Sequence, residues 1–171
     1  MDYMASLELA LKNEATEMKF YQNESQRSKN PLAKQMFGLL SNDEKEHMQR
    51  IRQLHEKLTA DGTWPKDVAI QVNDTNVRNV LNELAAKLDS STQHNDDDMA
   101  ALKKAVEFEG KGAKFYSDLA DACQNPMEKN FFLFLSRIER EHQLSLIDSL
   151  SYLENPQIWM LEHEHAGLDG A

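Results

Sequence analysis

The stretch NDEKEHMQR, Asn42 to Arg50, sets Glu44 three residues before His47, and RIEREHQLS, Arg137 to Ser145, repeats the pair as Glu139 and His142. Sliding the chain against itself by 95 residues, the separation of Glu44 and Glu139, aligns much more than these two pairs. Ala10 falls on Ala105, Glu14 on Glu109, and the KFY of Lys19 to Tyr21 on the KFY of Lys114 to Tyr116. Asn30-Pro31 meets Asn125-Pro126, Phe37 meets Phe132, and Leu40-Ser41 meets Leu135-Ser136, all without a gap. A period this long is not that of a solenoid. It describes two copies of one unit facing each other across a pseudo-twofold axis.

The unit reads as a helix hairpin. Apolar residues recur at steps of three, four or seven: Tyr3, Leu7, Leu11, Met18 and Tyr21, then Met36, Leu40, Ile51, Leu54 and Leu58. The second half gives Leu102, Val106, Ala113 and Tyr116, then Leu135, Ile138, Leu146, Leu150 and Leu153. Each run is one face of a helix. Asn30-Pro31 and Asn125-Pro126 each supply an N-cap followed by proline at the first helical position. The expected fold class is all-α: a ferritin-like four-helix bundle with one long crossover connection and a short C-terminal helix. The helices are expected over 3–28, 31–59, 96–123 and 126–153, in a single domain 1–171. The crossover, 61–95, opens with the helix-breaking DGTWP and holds a short amphipathic stretch, VRNVLNELAAKL, at 77–88. Asn155-Pro156 should start the C-terminal helix, with a tail in 154–171. Asp96, Asp97 and Asp98 suit the positive end of the third helix dipole rather than a calcium site.

The repeated polar residues lie on the apolar stripes. Glu14 falls between Leu11 and Met18, Glu109 between Val106 and Ala113, and the two Glu-x-x-His pairs between Leu40 and Ile51 and between Leu135 and Leu146. Four carboxylates and two imidazoles should therefore point into the bundle. Their distances from the turns near Asn30 and Asn125 agree, about 23 Å at the rise of an α-helix, so they should meet in one layer. Unpaired buried carboxylates cost several kcal/mol each, and no Lys or Arg shares those stripe positions. One Glu from each of two helices, with Glu-x-x-His from each of the other two, is a ligand set for two metal ions. The metal ligands read from the sequence are thus Glu14, Glu44, His47, Glu109, Glu139 and His142. Oxygen donors with two imidazoles suit iron, with manganese or a mixed pair as alternatives. Tyr21 and Tyr116, seven residues after Glu14 and Glu109, either hydrogen-bond to these carboxylates or pack the core. Glu46 and Glu141 should be solvated, His55 and His94 have no partner pattern, and His163 and His165 should be exposed.

Composition narrows the rest. A formal net charge of −10 argues against a nucleic-acid surface. The longest weighty apolar run, FFLFL at 131–135, is too short to span a bilayer, so no membrane association is expected. No signal peptide is visible in MDYMASLELA. The single cysteine, Cys123, can form neither an internal disulfide nor a thiolate metal site. The expected location is the cytoplasm.

Residues Glu44 to His47, EKEH, and Glu139 to His142, EREH, resemble the two metal-binding motifs of the rubrerythrin group within the ferritin-like superfamily. NEATEMKFY and FEGKGAKFY are similar to its first and third helices, and the resemblance spans roughly 3–153. It implies a non-haem di-iron site that reduces hydrogen peroxide or handles dioxygen. Two departures stand out. The rubredoxin domain of rubrerythrins proper has no counterpart here, so electrons should come from an external donor such as a rubredoxin-like protein. Rubrerythrins also carry an extra Glu one turn past the third-helix ligand, where this chain has Gly112. The repeat mate of Gly112 is Glu17, one turn past Glu14, so either the additional carboxylate ligand comes from the opposite side of the pseudo-twofold axis or Glu17 is a solvated residue on the helix flank. A homodimer is the expected assembly. Two other readings stay open: a ferroxidase or iron-handling protein, and a metal-stabilised binding module without turnover.

Overall fold

The computed structural model describes residues 3–64 and 96–166, with side chains as far as Glu162. Five helices make up these residues: α1 Tyr3–Arg27, α2 Pro31–Asp61, α3 Asp96–Ala122, α4 Pro126–Glu154 and α5 Pro156–Ala166. Helices α1 and α2 form one hairpin and α3 and α4 the other, with α1 against α3 and α2 against α4 joining them. This is the expected all-α, ferritin-like bundle with its short C-terminal helix. The body of the expected crossover, from Pro65 to Asn95, with the stretch 77–88 and His94, lies outside the described residues.

The punctuation works as the sequence implies. The Asn30 side chain accepts hydrogen bonds from the backbone of Leu32 and Ala33, and that of Asn125 accepts one from Met127. Each satisfies amide groups that an α-helix leaves unpaired at its start. At the other end of α2, Gly62 adopts φ 66° and its N–H closes on Leu58 O, a left-handed cap that glycine adopts freely. The helix therefore runs two residues past the expected 59. In α5, Trp159 buries itself and donates from Nε1 to Asp148 Oδ1 at 2.9 Å.

The repeat persists in the packing. Ser41 Oγ donates to Met18 O at 3.4 Å, and its mate Ser136 Oγ donates to Ala113 O at 2.7 Å. Tyr21 stacks on Phe37, and Tyr116 stacks on Phe132 in the same way. The buried lines differ by one residue from the expected stripes. In α1 they run Leu7, Ala10, Glu14, Glu17, Tyr21, and in α3 Leu102, Ala105, Glu109, Gly112, Tyr116. Leu11, Met18, Val106 and Ala113 are only half-buried. Alternating steps of three and four keep one seam facing the bundle axis, and the small residues in it, Ala10, Ala105 and Gly112, let the helices approach closely.

Two apolar clusters fill the ends of the bundle. One gathers Leu32, Met36, Leu102, Leu146 and Trp159, and the other Leu7, Ile51, Leu58, Leu119 and Phe131. The first holds the α1–α2 turn region with the start of α3, so the two hairpin turns sit at opposite ends and the mid-height layer falls between the clusters.

Asp98 keeps its expected place in the first turn of α3 and takes a second role. Its Oδ2 accepts from the backbone N–H groups of Lys29, at 3.1 Å, and Asn30, at 2.8 Å, tying α3 to the α1–α2 turn. Two hydrogen bonds to one buried charged acceptor are worth about 2–3 kcal/mol. Asp98→Ala should lower Tm by roughly 5–10 °C, whereas Asp96→Ala, at an exposed position, should cost under about 1 kcal/mol. Equal effects in thermal unfolding would rule out this assignment.

Candidate metal centre

Between the two clusters, α1, α2, α3 and α4 deliver Glu14, Glu44 with His47, Glu109, and Glu139 with His142 to one layer, and all six are fully buried. Their ligand atoms form two overlapping groups: Glu14, Glu44, His47 and Glu139, and Glu44, Glu109, Glu139 and His142. Within each group the atoms lie within 4.8 Å of one another. Glu44 and Glu139 belong to both. The three-residue spacing produces this sharing, because the Glu and His of each pair lie on one helix face.

Both imidazoles aim Nδ1 at the carboxylates. His47 Nδ1 is 3.0 Å from Glu14 Oε2 and 2.9 Å from Glu44 Oε2. His142 Nδ1 is 3.2 Å from Glu44 Oε1 and 3.6 Å from Glu109 Oε2. The two rings stack across the axis with centroids 5.6 Å apart. The tyrosines cross between hairpins: Tyr21 on α1 donates to Glu109 on α3, and Tyr116 on α3 donates to Glu14 on α1. Both readings open for these tyrosines hold, since the rings pack in the two apolar clusters while the hydroxyls donate to the carboxylates.

The electrostatics are those of a site short of positive charge. Burial, then the Glu44 charge, pushes Glu14 up to about 7. Burial and the surrounding carboxylates raise Glu139 and Glu17 well above the usual carboxylate range. Burial would lift Glu44 too, but the two imidazoles outweigh it and hold Glu44 below its ordinary value. His47 rises to about 10 against its burial, because Glu44 and Glu14 favour its charged form. Even so, Glu44 Oε1, Glu109 Oε2 and both Glu139 oxygens have no hydrogen-bond partner among the described residues. Buried acceptors without donors are costly, and divalent cations satisfy that demand. The donor set therefore fits two metal ions.

Glu17 is buried, 8 % exposed, rather than solvated. A Cβ placed on Gly112 would stand 3.5 Å from Glu17 Oε1 and 3.4 Å from Glu139 Cγ, so the Glu17 carboxylate lies against its repeat mate at the edge of the layer. A cavity of about 260 Å³ between α1 and α3 reaches this point, lined by Asn13, Thr16, Glu17, Phe108, Lys111 and Gly112 among others. Elsewhere the sequence reading holds in outline. Glu46 is exposed and Glu141 half-exposed beside Arg137. His55 lies 3.8 Å from Glu8. Cys123 donates to Leu119 O, and burial with Glu128 pushes its thiol up to about 12, an unreactive state. The side chains of His163 and His165 lie outside the described residues. Asp43 was missed: its Oδ2 stands 3.3 Å from His142 Nε2. Its position immediately before Glu44 gives no periodic signal, and its repeat mate is Ile138.

A family model described as Rubrerythrin matches residues 6–95, just over half the chain. The match covers the first hairpin, and the second hairpin repeats its ligand pattern. A solved structure of a hypothetical protein from Pyrococcus furiosus is similar in fold, with a TM-score of 0.64 and 20 % identity over 91 % of this chain and 92 % of that one. No curated protein matches the sequence. Among the described residues, no helix is long and apolar enough to cross a membrane.

The pH response of the metal-free chain follows from the same shifts. Between about pH 4.5 and 7 the folded chain keeps a proton on Glu14 that the unfolded chain has released, and between 6.5 and 10 the same holds for His47. The folded state binds more protons across this range, so its stability falls as pH rises. Thermal unfolding of metal-free protein should show Tm decreasing from pH 6 to pH 9. Bound divalent metal, which replaces those protons, should abolish the decrease. A metal-free Tm that is flat or rising across this window contradicts the reading.

Proposed function

The chain belongs to the rubrerythrin family, and on that premise we propose that it is a non-haem di-iron oxidoreductase. In this reading it reduces hydrogen peroxide, or handles dioxygen, with electrons from a separate rubredoxin-like donor. The observation that carries the reading is the pair of overlapping ligand groups sharing Glu44 and Glu139. Glu14 and His47 would hold one ion, Glu109 and His142 the other, and Glu44 and Glu139 both. When bound, two iron ions supply the two electrons needed to cleave an O–O bond, and manganese or a mixed pair is compatible with the same donors.

The protein's own residues supply placement and protons. Tyr116 and Tyr21 donate to Glu14 and Glu109, which orients one carboxylate on each side of the axis. Burial and the neighbouring carboxylates keep both phenols protonated, so they remain donors. The cavity between α1 and α3 is a path for a small oxidant, and it ends at Glu17 and Gly112. Gly112 leaves room there for the Glu17 carboxylate. Glu17 Oε2 is buried without a hydrogen-bond partner among the described residues. It is free either to serve as the additional carboxylate ligand or to hold a proton for the departing oxygen. Peroxide reduction consumes two electrons and two protons and yields two waters, and a raised-affinity carboxylate at the end of the path suits that demand.

The test is anaerobic peroxide consumption by iron-loaded protein with a supplied reductant. Wild type should turn over repeatedly, and Glu17→Ala should slow turnover by about tenfold or more while two metals stay bound. Absence of turnover overturns the proposal. Iron accumulating far beyond two per chain would assign the site to iron handling instead.

A further inference from the structure

The 95-residue offset that pairs the ligands fails immediately beside them. Asp43 places Oδ2 3.3 Å from Nε2 of His142. Its repeat mate, Ile138, is a buried hydrocarbon with no acceptor to offer. Neither atom of the Asp43–His142 contact makes a hydrogen bond in this structure, so it is a proximity of charge to ring nitrogen, whereas the carboxylates that pair with His47 all face its Nδ1 and its Nε2 is buried without a hydrogen bond among the described residues. Both rings direct Nδ1 toward the carboxylates. Nε2 is therefore the nitrogen facing away from each metal position, and it is the atom through which the surroundings act on a metal-bound imidazole.

We propose that Asp43 makes the two metal positions unequal, so that the one formed by Glu109 and His142 binds its ion more tightly than the one formed by Glu14 and His47. The inference rests on the di-metal reading of the site. A carboxylate that accepts the Nε2–H fixes the tautomer with its lone pair on Nδ1, holds the ring plane, and makes Nδ1 a stronger donor. His142 has such a carboxylate 3.3 Å from Nε2, near enough to accept its proton when Nδ1 binds metal. His47 must instead bury an unsatisfied N–H whenever Nδ1 binds metal, or leave the proton on Nδ1 and lose the ligand. Removing such an outer partner weakens metal binding by about 10–100-fold, and the same factor should separate the two positions. The Asp43 side chain is 27 % exposed, so it acts from the rim of the layer and can be changed without opening the core. Asp43 is a positioning residue, acting through His142.

Titration of metal-free, full-length protein with Co²⁺ under anaerobic conditions, followed by visible absorption, tests this. His47→Ala leaves the Glu109/His142 position intact and His142→Ala leaves the other, so each is measured alone. The Co²⁺ Kd should be about 10–100-fold lower in His47→Ala than in His142→Ala. Adding Asp43→Ala to His47→Ala should erase that advantage, adding it to His142→Ala should change nothing, and Asp43→Asn, which retains an acceptor oxygen, should restore part of it. If a histidine variant does not fold by circular dichroism, wild type and Asp43→Ala answer the same question, because Asp43→Ala should narrow the gap between the first and second Co²⁺ equivalents. Equal affinities at the two positions, an equal effect of Asp43→Ala on both, or an unchanged gap overturns the proposal. Failure of Co²⁺ to bind wild type at all would instead remove the di-metal reading, a separately visible result.

Discussion

Four carboxylates and two imidazoles occupy the middle of a helix bundle with apolar clusters above and below them. Removing a charge from water costs several kcal/mol even after relaxation, while a whole domain is stable by only about 5–15 kcal/mol. Four ionised carboxylates held without counter-charge would consume that margin. Among the described residues, the only cationic partners of these carboxylates are the two histidines. The fold is therefore compatible with the layer only if protons or metal ions complete the charge balance. Protons do so partially, as the raised affinities of Glu14, Glu139 and His47 show. Several buried oxygens still have no donor, and two divalent ions would satisfy both charge and coordination.

The rest of the architecture serves that layer. Antiparallel hairpins with turns at opposite ends bring one Glu, or one Glu-x-x-His, from each of four helices to the same height. Asn30, Asn125 and Asp98 fix the turns from which that height is measured. The tyrosines connect the hairpins by reaching across to the opposite carboxylate. Duplication of one hairpin explains the symmetric part of the site, and the copies differ beside it. Glu17 faces Gly112 across the seam, and Asp43 stands 3.3 Å from His142 while its own repeat mate is Ile138.

Much of this was legible in the sequence because the signals were doubled. The six candidate ligands stand out as polar residues on apolar stripes, twice, with matched distances to an Asn-Pro turn. Hydrophobicity was less able to choose between adjacent residues, so Leu11, Met18, Val106 and Ala113 were placed in the seam that Ala10, Glu17, Ala105 and Gly112 occupy. A buried Glu and a Gly carry no apolar signal, and the seam is set by helix approach rather than by side-chain hydrophobicity. Comparing the copies did single out Glu17, because its mate is Gly112. Asp43 escaped notice because its contact crosses from α2 to α4, a pairing that no local spacing encodes. The helix-start position of Asp98 is legible, while the bonds by which its carboxylate also closes the α1–α2 turn are another contact made across the fold.

The central claim is that the buried layer is a two-ion site. The most direct measurement is elemental analysis of protein purified anaerobically and reconstituted with iron, combined with anomalous diffraction from the same preparation. Two ions per chain, both lying among Glu14, Glu44, His47, Glu109, Glu139 and His142, with both lost in Glu139→Ala while the chain stays folded, is the predicted result. Protein that takes up no iron in that layer, or binds it undiminished in Glu139→Ala, would contradict the account.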